Sequence, residues 1–209
     1  MIAALEAASS DLSVALLTRD GEPLADTGWT SRRGGAHDLL PRLLELLAGR
    51  GHELGDLSAV AVGTGPGSFT GLRVAMALAK GLAIGLHVPC VGVPSLPAWL
   101  DAEPIAQAAA TRARASEAHL LLRGEQQPRV VTAEELSSAM ARPLVAPTEL
   151  AEAWGLADAL PPLHAAAAIG RSASARLRAE PAGDAVAELE PIYVRPPRGV
   201  PTLEAAGRR

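Results

Sequence analysis

Residues 60–86 read VAVGTGPGSFTGLRVAMALAKGLAIGL, and the fold follows from them. A short apolar run, Val60 to Val62, enters a turn built on Gly63, Gly65, Gly67 and Gly71. The turn opens directly into a long helix-forming stretch that starts near Gly71. Glycine admits positive φ and lets another backbone or a ligand come close, and Pro66 stiffens the turn between them. Ser68 and Thr70 are the side chains able to cap the helix. Phe69, the only phenylalanine of the chain, reads as a packing anchor.

A strand, a glycine loop and a helix N-terminus together suggest an anion site, because free N–H groups and the helix dipole converge there. The loop is not a Walker A sequence, since no Lys-Ser/Thr pair follows the glycines. It is not a dinucleotide fingerprint either, because Ser68 stands where the third glycine belongs. Two readings stay open: a phosphate held by main chain alone, or a close strand-to-helix packing turn.

The stretch GTGPGSFTGLRVAMALAKGLA resembles the signature of the TsaB (YeaZ) family of tRNA threonylcarbamoyladenosine synthesis. The opening IAALEAASSDLSVALL resembles that family's first hairpin, and AHDLLPRLLELL its first helix. EPIYVRPP resembles its Pro-x-Tyr-x-Arg ending, at Pro191, Tyr193 and Arg195. The likeness is strong over about residues 1–98 and at 190–196 and weak between. It implies half of an actin-like, sugar-kinase-like architecture.

The 209 residues suffice for one large or two small domains. A hydrophobic share of 48% against 20% charged predicts a buried core. With aromatics at 2%, that core must be Ala, Leu and Val. Lys80 is the only lysine, and the net charge is −4 without a basic run. Such a chain lacks the positive footprint of a free-standing RNA binder. The single cysteine, Cys90, excludes an internal disulfide and fits a reducing cytosol. Lying in VPCVGV, it reads as a core residue. The N-terminus lacks the pattern of a signal peptide, and no long uninterrupted apolar stretch predicts a membrane span. A cytoplasmic protein is expected.

Residues 2–8, 12–18 and 22–30 read as strands joined by tight turns at Ser9-Ser10-Asp11 and Asp20-Gly21, hence antiparallel. Residues 37–47 read as a helix with leucines at helical spacing. Pro41 falls in its first turn, where a missing N–H costs little. A strand over 58–63, a helix over 71–86 and a strand over 88–93 follow. This order predicts a ribonuclease-H-like sheet. Residues 94–104 are the expected boundary, with a first lobe over 1–98, a smaller α/β lobe over 99–196 and a mobile tail over 197–209. Residues 106–113 fit either helix or strand. Residues 118–123 and 129–132 read as strands. Thr132 with Glu135 forms a capping box for a helix over 133–141. Further helices are expected from 147 to 154 and from 163 to 179.

No histidine pair has metal-ligand spacing among His37, His52, His87, His119 and His164. The TsaD relatives carry an HxxxH metal site; here Pro41 follows His37 where a second ligand would stand. The resemblance also leads one to expect Asp-Thr at the end of the first strand. This chain has Glu6-Ala7 followed by Ser9-Ser10-Asp11, without a glycine, so a working phosphate loop is not expected. Glu6 reads either as a strand-end carboxylate in a hydrogen-bond network or as a group facing a hydrated metal. A Ser68–His37 peptidase pair has no support from spacing, and the Gly-x-Ser-x-Gly elbow is missing. Of the family's second-lobe Asp-Ala-Arg-Arg-Gly-Glu stretch only Ala113, Arg114 and Glu117 remain, the last two reading as a solvated ion pair.

What remains is surface. The 71–86 helix is apolar around most of its circumference, as if buried on more than one side. The 37–47 helix also has leucines beyond one stripe. Such a pair suits packing against a like pair. The resemblance implies that it pairs with TsaD, with TsaE joining the assembly. The expected partner face is His37, Leu40, Leu44, Leu47, Arg73, Val74, Ala77, Leu78 and Leu82. Glu6, Ser9, Gly65, Gly67, Ser68, Thr70 and Gly71 would line any nucleotide boundary. The expected function is a non-catalytic subunit that positions TsaD for threonylcarbamoyl transfer to N6 of adenosine 37 of tRNA. It would require no cofactor of its own, with ATP or ADP and Mg²⁺ at the complex boundary, and would form a homodimer when alone. tRNA would be met mainly through the complex. The rival readings are an ATP-hydrolysing enzyme using Glu6 and Asp11, and a generic homodimeric scaffold.

Overall fold

Five short strands, four of them mainly apolar, form the central sheet of the computed structural model, which describes residues 1–31, 35–138 and 143–192. They are β1 (Ile2–Glu6), β2 (Asp11–Leu17), β3 (Pro23–Thr30), β4 (Ala59–Gly63) and β5 (Cys90–Val93), in the order β3-β2-β1-β4-β5. β1, β2 and β3 pair antiparallel, while β1, β4 and β5 run parallel. This is the ribonuclease-H-like order expected from the sequence. β1, β2 and β4 are buried at every position, which requires cover on both faces.

Side chains alternate across the strands. Ala3, Leu5, Val14, Val60 and Val62 face α1 (Leu39–Ala48) and α2 (Phe69–Leu86). Ile2, Ala4, Ala15, Leu17 and Ala61 face the other way, onto α3 (Ser95–Ala102) and the helix over residues 165–179. α1 follows a single 3-10 turn, Gly35–Asp38, which carries His37. α2 begins two residues before Gly71 and is long and apolar enough, with mean hydropathy 1.4, to cross a bilayer. In the fold its inner side instead covers β4 and carries Ala75 and Ala79 into the core.

The second sheet is β6 (Ala108–Arg114), β7 (Glu117–Leu122), β8 (Arg129–Thr132) and β9 (Leu144–Val145), ordered β8-β7-β6-β9. Of the alanine-rich residues 106–113, those from 108 onward are thus strand. The capping box exists: the Glu135 N–H donates to Thr132 Oγ1 at 3.2 Å, and the Thr132 N–H donates to Glu135 Oε2 at 2.7 Å. It opens α4 (Ala133–Ser138), whose expected continuation over 139–141 lies outside the described residues. α5 (Thr148–Trp154) and α6 (Ala165–Ala179) follow. Arg114 and Glu117 stand opposite each other across the β6–β7 hairpin.

Within the span expected to form the second lobe, 99–196, α6 returns to the first sheet and packs on β1, β2 and α3. The reason is volume. The alanines of α6 and Gly170 let the helix lie close to the sheet, and a Cβ at Gly170 would strike the Leu17 side chain. The tail over 197–209, with Tyr193 and Arg195, lies outside the described residues.

Candidate functional site

The glycine loop joins β4 to α2 and rests on the turn between β1 and β2. The Ser68 N–H donates to the Ala8 carbonyl at 2.6 Å. A Cβ at Gly67 would collide with that same oxygen, and one at Gly71 with the Ala7 carbonyl. Ser68 is the cap, its Oγ accepting from the Gly71 N–H at 3.2 Å; Thr70 sits exposed in the first turn. Gly65 exchanges bonds with Ser95, its N–H donating to Ser95 Oγ at 3.0 Å and its carbonyl accepting from the Ser95 N–H at 2.9 Å. Main-chain carbonyls therefore lie against the positive end of α2. The loop has the geometry of a close packing turn.

Glu6 is wholly buried beneath this loop. Its Oε1 accepts from the Ala8 N–H at 2.6 Å. Its Oε2 has no hydrogen-bond partner among the described residues; the Ser95 hydroxyl and Trp99 indole stand nearby without closing a bond. Burial pushes the carboxyl pKa up, opposed by the neighbouring donors, the Ala8 N–H first. Its side chain is closed from solvent, which corrects its placement at a nucleotide boundary. Ser9 is also buried, its Oγ closing the turn by donating to the Asp11 carbonyl at 3.0 Å and accepting from the Asp11 N–H at 3.1 Å.

A raised native pKa has a consequence for stability. The native state holds the Glu6 proton after the unfolded chain has lost it, so stability falls as pH rises from the usual carboxylate range toward the native pKa. The fall is at most about 1.4 kcal/mol per pH unit. The Glu6→Gln variant is expected to lose this component and to unfold at higher urea than wild type at pH 8, with the difference shrinking toward pH 4. A parallel pH dependence in both proteins would contradict it.

Both oxygens of Asp11, unlike those of Glu6, are hydrogen-bonded. Oδ1 accepts from Thr30 Oγ1 at 2.6 Å and Thr148 Oγ1 at 2.9 Å, and Oδ2 accepts from the Thr148 N–H at 2.6 Å. It ties the first sheet to α5 of the second lobe. Glu6 and Asp11, the pair of the ATPase reading, both point into the protein. His37 is exposed with its ring nitrogen 3.4 Å from Asp38. Among the described residues no group of three or more His, Cys, Asp and Glu could hold a metal. Cys90 is buried, and burial pushes its thiol pKa up to about 11, as a core residue requires.

The exposed apolar surface lies on α1 and α2. Of the six large exposed hydrophobic residues among those described, Leu44, Phe69, Val74 and Ile84 belong to these helices, which concentrates the patch there. On α2, Leu72, Ala75, Met76, Ala79 and Ala83 point inward. Arg73, Val74, Ala77, Gly81, Ile84 and Gly85 point outward. A Cβ at Gly81 or Gly85 would meet nothing within 4 Å. Ala77, Gly81 and Gly85 recur every fourth residue, one row on the helix surface. Such a row lets a second helix approach closely. Leu40, Leu78 and Leu82 are partly buried at its margin.

Two expectations fail here. Leu47 is 1% exposed and belongs to the core with Leu39 and Leu43, so it cannot face a partner. Phe69 is no internal anchor: it is 49% exposed, with the Arg73 guanidinium 4.1 Å from its ring centre. The expected partner face omitted Gly81, Ile84 and Gly85, although the four-residue spacing of small residues is legible in the sequence.

The family model described as TsaD, tRNA N6-adenosine threonylcarbamoyltransferase, matches residues 31–153. The tRNA threonylcarbamoyladenosine biosynthesis protein TsaB of Escherichia coli is 45% identical over 58 residues, 28% of this chain and 25% of the relative. The protein of the same name from Haemophilus influenzae is 39% identical over 99 residues, 47% of this chain and 41% of the relative. These alignments span less than half the length of either relative. YeaZ from Pseudomonas aeruginosa has the same fold over almost the whole chain. Its TM-score is 0.66 at 26% identity, covering 92% of this chain and 99% of that one.

Proposed function

Because the chain belongs to the TsaD family, in its TsaB (YeaZ) branch, we propose that it serves tRNA threonylcarbamoyladenosine synthesis as a non-catalytic subunit. In this reading it binds TsaD in the cytoplasm and positions it for threonylcarbamoyl transfer to N6 of adenosine 37. TsaE joins the same assembly. The observation that carries the reading is the uncovered apolar surface of α1 and α2, with Leu44 42% exposed on α1 and Ile84 65% exposed on α2, which also carries the row of small residues. A patch of this kind on a folded chain marks an interaction site. The burial of Glu6 and Asp11 supports a role without chemistry of its own. The net charge of −4 supports contact with tRNA through the complex. ATP or ADP with Mg²⁺ belongs, on this view, to the boundary between subunits. Without TsaD the same face pairs with a second copy.

Ala77 is the probe of choice, since Leu78 is partly buried against the chain's own core. The Ala77→Glu variant places a charge in the centre of the face. It is expected to bind TsaD at least about 30-fold more weakly, as at an interface hot spot, and to lower the threonylcarbamoyladenosine content of tRNA in cells that depend on it. A folded variant with wild-type affinity would overturn the assignment.

A further inference from the structure

β5 is the last strand of the first sheet. Its inner side pairs with β4. The Pro89 and Val93 carbonyls accept from the Val60 and Thr64 N–H groups at 2.9 and 2.8 Å. Main-chain groups alternate in direction along a strand, so Cys90 and Gly92 turn theirs to the open side. Such an edge is a template for pairing with another chain, and a charge or a proline within the strand is a common defence. β5, Cys-Val-Gly-Val, has neither.

The chain itself supplies the cover. After α6 it turns back at Gly183, whose φ is +69 and where a Cβ would meet the Cys90 carbonyl oxygen at 2.7 Å. The Asp184 N–H then donates to that Cys90 carbonyl at 2.8 Å, and Asp184 Oδ2 accepts from the Gly92 N–H at 2.7 Å. Arg176, on α6, donates from Nη1 to the Gly92 carbonyl at 2.6 Å and from Nη2 to Asp184 Oδ1 at 2.5 Å. A carboxylate thus stands where a further strand would present a carbonyl, and a guanidinium where it would present an N–H. Val186 and Leu189 pack against the core, and a Cβ at Gly92 would collide with Leu189. The Ile192 N–H, donating to the Thr64 carbonyl at 2.7 Å, fastens the far end.

We propose that residues 183–192 are an edge guard, a strap held by the Arg176–Asp184 pair that keeps β5 from taking on a further strand. The strand it excludes is β5 of a second copy of this chain. Two such edges brought together antiparallel about a twofold axis offer each other the same N–H and C=O groups. No charge within either strand opposes that contact. The guard needs no residue of the outward face of α2.

The test uses the full chain carrying Ala77→Glu, so that any pairing through α2 is weakened, with and without the added pair Arg176→Ala and Asp184→Ala. Removing both groups is expected to speed hydrogen exchange at the Gly92 amide about tenfold or more in dilute protein. As the concentration rises, light scattering should show the mass climbing toward two copies, with the Gly92 amide protected again in the dimer. Asp184→Asn, the milder variant should the double one not fold, keeps an acceptor for Gly92 and is expected to move both readings part of the way. Faster Gly92 exchange with a mass no higher than that of the Ala77→Glu parent at any concentration would overturn the guard. So would association that leaves the Gly92 amide exchanging fast, since the copies would then be meeting elsewhere. Unchanged exchange at Gly92 would overturn it as well, because the pair would not be what holds the strap.

Discussion

Replacing Gly67 with valine is expected to destabilise the chain by about 3 kcal/mol or more, because two backbones meet there with no side-chain slack. The new Cβ would fall on the Ala8 carbonyl oxygen, which already accepts the Ser68 N–H at 2.6 Å. Relief requires moving the β1–β2 turn or breaking that bond, and a stranded donor adds about 1–3 kcal/mol. The conformation, φ +158, is also one that L-residues rarely adopt. Gly81→Ala is the internal control. It meets nothing within 4 Å and lies in the middle of α2, so it is expected to stabilise the isolated chain by about 0.5–1 kcal/mol. Urea unfolding midpoints separate the two. A Gly67→Val protein as stable as wild type would mean that the loop is open, as a phosphate cradle must be, and that the packing reading is wrong.

Asp11→Ala is expected to cost about 3 kcal/mol. The carboxylate is buried and accepts three hydrogen bonds, all of which its loss removes at once. Each bond to a charged acceptor contributes about 1.5–3 kcal/mol, and water reaching the exposed Thr30 and half-buried Thr148 offsets part of the loss. The loss should appear unevenly, with faster hydrogen exchange in α5 than in β1 or β4, because Asp11 joins lobes and does not fill the core. Asp11→Asn keeps one acceptor and should fall between. A cost below about 1 kcal/mol would show that the two lobes do not depend on this residue.

The first lobe was legible for a physical reason. Its strands are short apolar runs closed by tight turns, and its helices carry leucines at helical spacing, so local pattern and tertiary role agree. The glycine loop was legible as a loop but not as to what it cradles. Gly67 and Gly71 read the same whether a phosphate or the Ala7–Ala8 backbone comes close, and only the fold says which. Leu47 and Leu44 illustrate a second limit. Three residues apart on one helix, one is buried and the other 42% exposed, and a broad leucine stripe does not say where cover stops. Phe69 misled because aromatic residues are usually interior, whereas this one stacks under Arg73 on the surface.

The second half was harder to read because alanine carries little pattern. Residues 106–113 fit helix and strand equally, and pairing with Leu120 and Leu121 decided for β6. α6 was legible as a helix, but nothing local in AAAAIGRSASARLRA names the surface it covers. Asp11 and Glu6 stood out in the sequence only as the pair an ATPase reading would need. Their roles, a tie between lobes and a buried acid, depend on Thr148 and Trp99, which lie 137 and 93 residues further along the chain.

Hydrogen exchange of the full chain with and without TsaD tests the central claim most directly. Slowed exchange confined to α1 and α2 is the predicted result. Protection of the cleft between Thr30 and Glu152 instead, with α2 exchanging as in the free chain, would contradict the account.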